Sequence, residues 1–253
     1  MSLNKLTIDQ KIEKTVEWLQ GKVKEAGARG LVVGISGGID SALVTFLIKK
    51  AFPEDSLGVI IPIKSNPVDR EDALKVVEKS GITHIDLDMT ESQMMILSKV
   101  EETMKENNLW REDFRRITDA NLRARIRMST IYTVANNLNY LVMGTDNAAE
   151  VYTGYFTKYG DGGVDLLPIA NLTKREVYEW SRHVGVPIEV LEKAPTAGLW
   201  EGQTDETEMG TTYDMIDDLI EGKEIPQKDR DIIERLHRVS EHKRNMPPAP
   251  PIF

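Results

Sequence analysis

The chain reads as an α/β protein: a doubly wound parallel sheet flanked by helices, with further helices added toward the C-terminus. Three observations predict this. Short apolar runs of strand length (LVVGI, LGVIIPI, LVMG) alternate with segments of helical periodicity. The intervening helices are long enough to serve as right-handed crossovers between parallel strands. A Ser/Gly turn also joins the first apolar run directly to the helix that follows it.

Each element follows from its pattern. Ile8, Ile12, Val16, Leu19 and Val23 recur at spacings of three and four, which places them on one face of an opening helix from residue 8 to about 26. Residues 31–35 form the first strand, and Ala42, Leu43, Phe46 and Leu47 give the next helix its apolar face. A strand at 57–63 precedes the turn Ser65-Asn66-Pro67 and a helix through Ala73, Leu74 and Val77. A third strand at 84–87 leads to a helix at 94–104, and a long helix over 114–138 leads to a fourth strand at 140–144. Residues 154–163 read as loop and 174–183 as helix. The stretch 195–210 has almost no periodicity and is expected to act as a lid; helices return at 214–220 and 231–243, before a proline-rich tail that can only be extended.

Composition sets the outer bounds. With 40% hydrophobic and 29% charged residues the chain resembles ordinary globular proteins and excludes collagen-like or disordered classes. No repeat or linker interrupts it, so residues 1–253 are expected to form one domain. The 32 basic and 41 acidic residues leave a net charge of −9, a poor match to a nucleic acid. The absence of cysteine excludes disulfides, thiolate metal sites and Cys nucleophiles. No apolar run approaches the roughly eighteen residues of a membrane span, and the N-terminus has no signal-peptide h-region. A cytoplasmic protein without membrane contact is the expectation.

The chemistry concentrates in Gly34-Ile35-Ser36-Gly37-Gly38-Ile39-Asp40-Ser41, between a strand and a helix. Its glycines let the backbone approach an anion, Ser36 and Ser41 add donors, and the following helix directs its positive end at the ligand. The segment has neither the GxxxxGK[ST] of a Walker A loop nor the GxGxxG of a dinucleotide fold. Asp40 beside phosphates is repulsive unless a cation lies between them, which implies Mg²⁺.

This SGGxDS loop resembles the PP-loop of the N-type ATP pyrophosphatases, with their adenine nucleotide alpha-hydrolase-like fold. Further blocks narrow the resemblance: NLRARIRM from Asn121, GTDNAAE from Gly144, FTKYGDGGVDLLP from Phe156, LTKR from Leu172, APTA from Ala194, YDMIDD from Tyr213 and EHKR from Glu241. Their order and spacing are similar to those of the NAD synthetase family, from about residue 8 to 247. The resemblance implies ATP-dependent amidation of nicotinic acid adenine dinucleotide (deamido-NAD) to NAD through an acyl-adenylate, with AMP and pyrophosphate released. It implies Asp40 and Glu150 as Mg²⁺ ligands and, with Lys174, as catalytic residues. It further implies that Thr145, Lys174 and Thr196 contact ATP along with the 34–41 loop, and that Arg125, Lys158, Asp165, His242 and Lys243 contact deamido-NAD. Within the Arg123, Arg125, Arg127 run only Arg125 is expected to bind, because the three do not share one helical face. Lys174 by itself reads as a solvated residue at a helix start.

The chain departs from the family pattern at Ile39, where many bacterial members carry Gln, at Asn147, where His is usual, and at Gly198, where Asp is common. Glutamine-dependent members carry an additional glutaminase domain with a Cys nucleophile, and neither is expected here, so free ammonia is the implied nitrogen source unless a separate glutaminase subunit docks. The resemblance also implies a homodimer with the dinucleotide sites at the subunit interface, and with the opening helix and the helix carrying Arg125 as candidate contacts. A tRNA-modifying relative is opposed by the net charge and the lack of cysteine. A non-catalytic nucleotide-binding module is opposed by the retention of both Asp40 and Glu150.

Overall fold

The computed structural model describes residues 6–194 and 204–252. Strands β1 (Gly30–Gly34), β2 (Ser56–Ile60), β3 (Thr83–Asp86) and β4 (Tyr140–Met143) form one parallel sheet in the order β3-β2-β1-β4. The chain builds outward from β1 to β3 and then returns to β1's other edge with β4. The order therefore reverses between β1 and β4, which is where a doubly wound sheet opens its ligand crevice.

Successive residues of β1 face opposite layers, as the period of two requires. Leu31 and Val33 pack with α1 (Ile8–Ala26), α2 (Ile39–Ala51), α3 (Pro67–Ser80) and α7 (Lys174–Val184), while Val32 packs with α5 (Arg115–Leu138) through Ala135 and Ile131. The predicted stripe of α1 is the buried one: Ile12, Val16, Leu19 and Val23. Its start is held by a capping box between Thr7 and Gln10, and its end by Gly27 in the left-handed region. A third apolar cluster joins α6 (Ala148–Thr153), α10 (Tyr213–Ile220) and α11 (Gln227–Val239) around Ile216 and Ile233. No helix among the described residues is long and apolar enough to cross a membrane.

Several boundaries differ from the sequence reading for identifiable reasons. β2 stops at Ile60 rather than 63 because Pro62 has no N–H for a ladder, although Ile61 and Ile63 stay buried. The helix expected over 231–243 is two helices, α11 and α12 (Glu241–Arg244), separated at Ser240, whose hydroxyl donates back to Leu236 O at 2.6 Å. The stretch expected to be irregular at 195–210 contains α9 (Asp205–Met209), capped by Thr204 and Gly210; residues 195–203 lie outside the described residues. A one-turn helix, α8 (Ile188–Leu191), follows Pro187 and was not evident from periodicity.

The loop after β1 is pinned against α3. Gly37 has φ +80°, and a Cβ there would lie 2.2 Å from Asp69 O. Only glycine meets both conditions. Gly37→Ala is therefore expected to destabilise the protein by about 1–3 kcal/mol, since left-handed strain and the clash act together. Urea unfolding measures this, and the same variant should lose ATP affinity.

Candidate active site

The crevice above β1 and β4 is a cavity of about 310 Å³. Its walls come from the 34–41 loop, the ends of β2 and β4, the 157–164 loop and the first residue of α7. Gly34, Ile35, Ser36, Gly38, Ile39, Asp40 and Ser41 all line it, as do Thr145, Glu150 and Lys174. These expected residues come from distant parts of the chain and meet because β1 and β4 are adjacent and parallel.

The loop braces itself. Ser41 Oγ donates to Gly38 O at 3.0 Å, which spends its one proton, so Ser36 Oγ is the donor in its 3.0 Å contact with Ser41 Oγ. Ser36 Oγ in turn accepts from Gly38 N–H at 3.3 Å. No side chain caps the start of α2. The positive end of α2 thus opens into the cavity.

At its centre is an ion cluster. Lys174 Nζ donates to Asp40 Oδ2 at 2.6 Å and lies 3.8 Å from Glu150 Oε1. Asn147 Nδ2 donates to Asp40 Oδ1 at 2.9 Å. Tyr213 OH meets Glu150 Oε1 at 3.0 Å and Asp205 Oδ2 at 2.9 Å, and the Lys174 ammonium lies 4.6 Å from the Tyr213 ring centre. Lys174 is 3% exposed, so it is a buried cation rather than the solvated helix-start residue that its position alone suggests. Its backbone is also held: Asp217 accepts from Lys174 N–H at 3.1 Å and from Arg175 N–H at 3.0 Å.

Burial would lower the Lys174 pKa, but Asp40 and then Glu150 outweigh it and hold the ammonium charged. Glu150 moves the other way: burial first, and the Asp40 charge second, push its carboxyl up to about 8. Burial likewise raises Asp146 well above the usual carboxylate range, reinforced by Asp161, Glu150 and Asp40. The cluster therefore has more carboxylate than the ammonium compensates, and this surplus of hard oxygen donors fits a divalent cation. Among the described residues no group of three or more His, Asp and Glu forms a complete cage. A cation held by two carboxylates and completed by phosphate oxygens is the usual arrangement for Mg²⁺.

The five residues expected at deamido-NAD lie outside the cavity lining. Arg125 donates to Lys158 O at 3.4 Å, Lys158 Nζ donates to His242 O, and Lys243 Nζ donates to Gly154 O at 2.8 Å and Phe156 O at 2.6 Å. These four are joined through the 154–158 backbone and neighbouring carbonyls. Asp165 is separate, accepting from Tyr132 OH at 2.9 Å and Val142 N–H at 2.8 Å. Thr196 and Gly198 lie outside the described residues.

The structure adds residues that the sequence did not single out. Arg127, not Arg125, lines the cavity, and it donates to Ile61 O and Ser65 Oγ, both at 3.1 Å. Burial and then Arg123 lower its pKa to about 10, which leaves it charged at neutral pH. Lys193 also lines the cavity while donating to Asp69 and Asp72 at 2.7 and 2.9 Å. Asp146, Asp161, Tyr155 and Asp205 complete the wall. Asp146 and Asp161 sit inside the quoted blocks, but nothing in their spacing marks them as facing the ligand.

Comparison with known proteins decides the family. The NAD synthase family profile matches residues 11–247. The chain belongs to the NAD synthase family. It is 62% identical to the NH(3)-dependent NAD(+) synthetase of Alkaliphilus oremlandii, covering 97% of this chain and 98% of that one. It is 48% identical to the protein of the same name from Carboxydothermus hydrogenoformans, over 96% and 97%. Among solved structures, the NMN synthetase of Francisella tularensis aligns with a TM-score of 0.91 at 37% identity, over 98% and 100%. The NAD+ synthetase of Burkholderia pseudomallei aligns with a TM-score of 0.78 at 29% identity, over 96% and 91%. For this NAD synthase family chain, the parallel sheet flanked by helices agrees with the fold class that the sequence predicts.

A carboxyl whose folded pKa exceeds its unfolded value binds protons more tightly when folded, so stability falls as pH rises through the window between them. For Glu150 that window runs from the ordinary 4.5 to about 8. In the metal-free protein, Glu150→Gln should therefore raise the melting temperature more at pH 8 than at pH 5. Equal gains at both pH values in a calorimetric scan would contradict the assigned environment.

Proposed function

We propose that this chain amidates nicotinic acid adenine dinucleotide with ammonia, using ATP, and so carries out the last step of NAD synthesis. The observation that carries the reading is the buried Lys174–Asp40 contact at 2.6 Å, with Glu150 beside it, at the mouth of the open α2 terminus.

A carboxylate is a poor acyl donor because its leaving group would be oxide. Attack of its oxygen on the α-phosphorus of ATP breaks the α–β bond, releases pyrophosphate and leaves an acyl-adenylate. Ammonia then adds to the acyl carbon, AMP departs, and one proton is lost as the amide forms. The α2 backbone donors, in a loop that Ser36 and Ser41 brace, face the phosphates, and the Lys174 ammonium stabilises negative charge that grows as the α–β bond breaks. Asp40 and Glu150 are the proposed Mg²⁺ ligands. The bound ion would offset repulsion between the two nucleotides and the charge of departing pyrophosphate. Thr145 and Thr196 are proposed ATP contacts. Arg125, Lys158, Asp165, His242 and Lys243 are proposed for deamido-NAD, the two lysines also holding the loop that forms the cavity wall.

A second reading is favoured by one observation, the TM-score of 0.91 to a protein described as an NMN synthetase. In that reading the substrate is the mononucleotide and the product is NMN, while the adenylation chemistry is unchanged. Assays with Mg·ATP and ammonium chloride, supplied with either the acid dinucleotide or the acid mononucleotide, separate the two by the ratio of kcat/KM. Faster NAD formation with stoichiometric AMP is expected. Preference for the mononucleotide would transfer the assignment to NMN formation.

Asp40→Asn should abolish pyrophosphate release without unfolding the protein. Lys174→Met should lower kcat by about 10²–10³, the usual cost of losing one transition-state donor. Rates near the parent's in a coupled pyrophosphate assay would refute these roles.

We further propose a homodimer built on α5 rather than on α1. The 24-residue α5 buries only Ala120 and Ala135, and Phe114 and Ile117 at its start are exposed, as are Met94 and Met95 on α4 (Thr90–Glu106). By contrast, α1 spends its apolar stripe on its own core. Light scattering is expected to give about twice the 28.5 kDa chain mass.

A further inference from the structure

We infer that Asn147 is the positioning residue that joins the two proposed metal ligands and sets the direction in which Asp40 presents its carboxylate. The inference rests on the function proposed above.

Asn147 is fully buried at the start of α6. Its side-chain oxygen accepts from Ala149 N–H at 3.0 Å and from Glu150 N–H at 3.2 Å. Those two backbone donors require the oxygen on the helix side, so the amide has one orientation and its NH₂ must face Asp40. Nδ2 then donates to Asp40 Oδ1 at 2.9 Å. The backbone N–H of the same residue donates to Glu150 Oε2 at 3.0 Å. One residue therefore holds Glu150 by both main chain and side chain and holds Asp40 across the sheet switch point.

Asp40 is held from both sides: Oδ1 by Asn147 and Oδ2 by Lys174. Each oxygen keeps a second lone pair, and those are what a cation can use. Without the amide, Asp40 could rotate about its side-chain bonds and pair more fully with Lys174. Supporting partners of this kind typically change metal affinity or activity by about 10–100-fold. A cap alone has a different signature, because serine caps a helix about as well as asparagine but cannot reach Asp40.

The test uses the whole protein with ATP at fixed concentration, titrated with Mg²⁺ and followed by its melting temperature. Asn147→Ser should melt within a few degrees of the parent without ligand, yet need about tenfold or more Mg²⁺ for half of the ATP-dependent shift. An unchanged Mg²⁺ midpoint would overturn the inference. Asn147→Asp keeps size and cap but places an acceptor against Asp40 Oδ1, so it should lower the metal-free melting temperature and enlarge the Mg²⁺-dependent shift. If the serine variant does not fold, an aspartate variant identical to the parent overturns the inference on its own. A parent protein without any Mg²⁺-dependent shift would instead overturn the proposed metal role, and the inference with it.

Discussion

Everything at the site depends on burying one ammonium among several carboxylates. Lys174 would be expensive to bury alone, and so would Asp40 or Glu150; together they form a cluster whose partial charge balance leaves room for one more cation. The fold makes this possible by bringing the ends of β1 and β4 side by side and placing the start of α7 above them. Removing the Lys174 ammonium leaves both carboxylates uncompensated. The cluster is therefore a structural constraint as well as a chemical tool.

Much of the fold was legible because it follows from periodicity. The α1 stripe, the strand-loop-helix unit at Ser36 to Ser41 and the parallel alternation all rest on patterns of period two or 3.6, and the structure places them accordingly. Shorter elements were not legible. α8 and α9 span about one turn each, too few residues for a period to show, and the break at Ser240 depends on a hydroxyl folding back onto Leu236 O.

The site was legible where a motif carries its own chemistry and obscure where a residue acts through three-dimensional neighbours. Asp40 stands out as an acid in an anion-binding loop. Arg127 does not stand out, since the choice between it and Arg125 depends on which side of α5 faces β2; the structure turns Arg127 toward Ile61 O and Arg125 toward Lys158 O. Asp217 is harder still. It lies 43 residues from Lys174 in sequence, and its role as a carboxylate beneath the start of α7 appears only when α10 packs there.

That carboxylate also helps explain why an anionic ligand is directed to one place. Helices α2, α3, α6, α7 and α9 each place a first-turn residue in the cavity lining, and each N-terminus attracts negative charge. At α6 the N–H groups are taken by Asn147, and at α7 by Thr173 and Asp217. At α2 the preceding residue is Gly38, which has no side chain to offer, and the neighbouring serines brace the loop instead of capping the helix. Asn66 and Thr204 likewise cap α3 and α9, so among these helices α2 alone lacks a side-chain cap and leaves its first N–H groups open to the cavity. The glycine gives up a side-chain cap at a cost of about a few tenths of a kcal/mol and leaves a helix end that suits an anion.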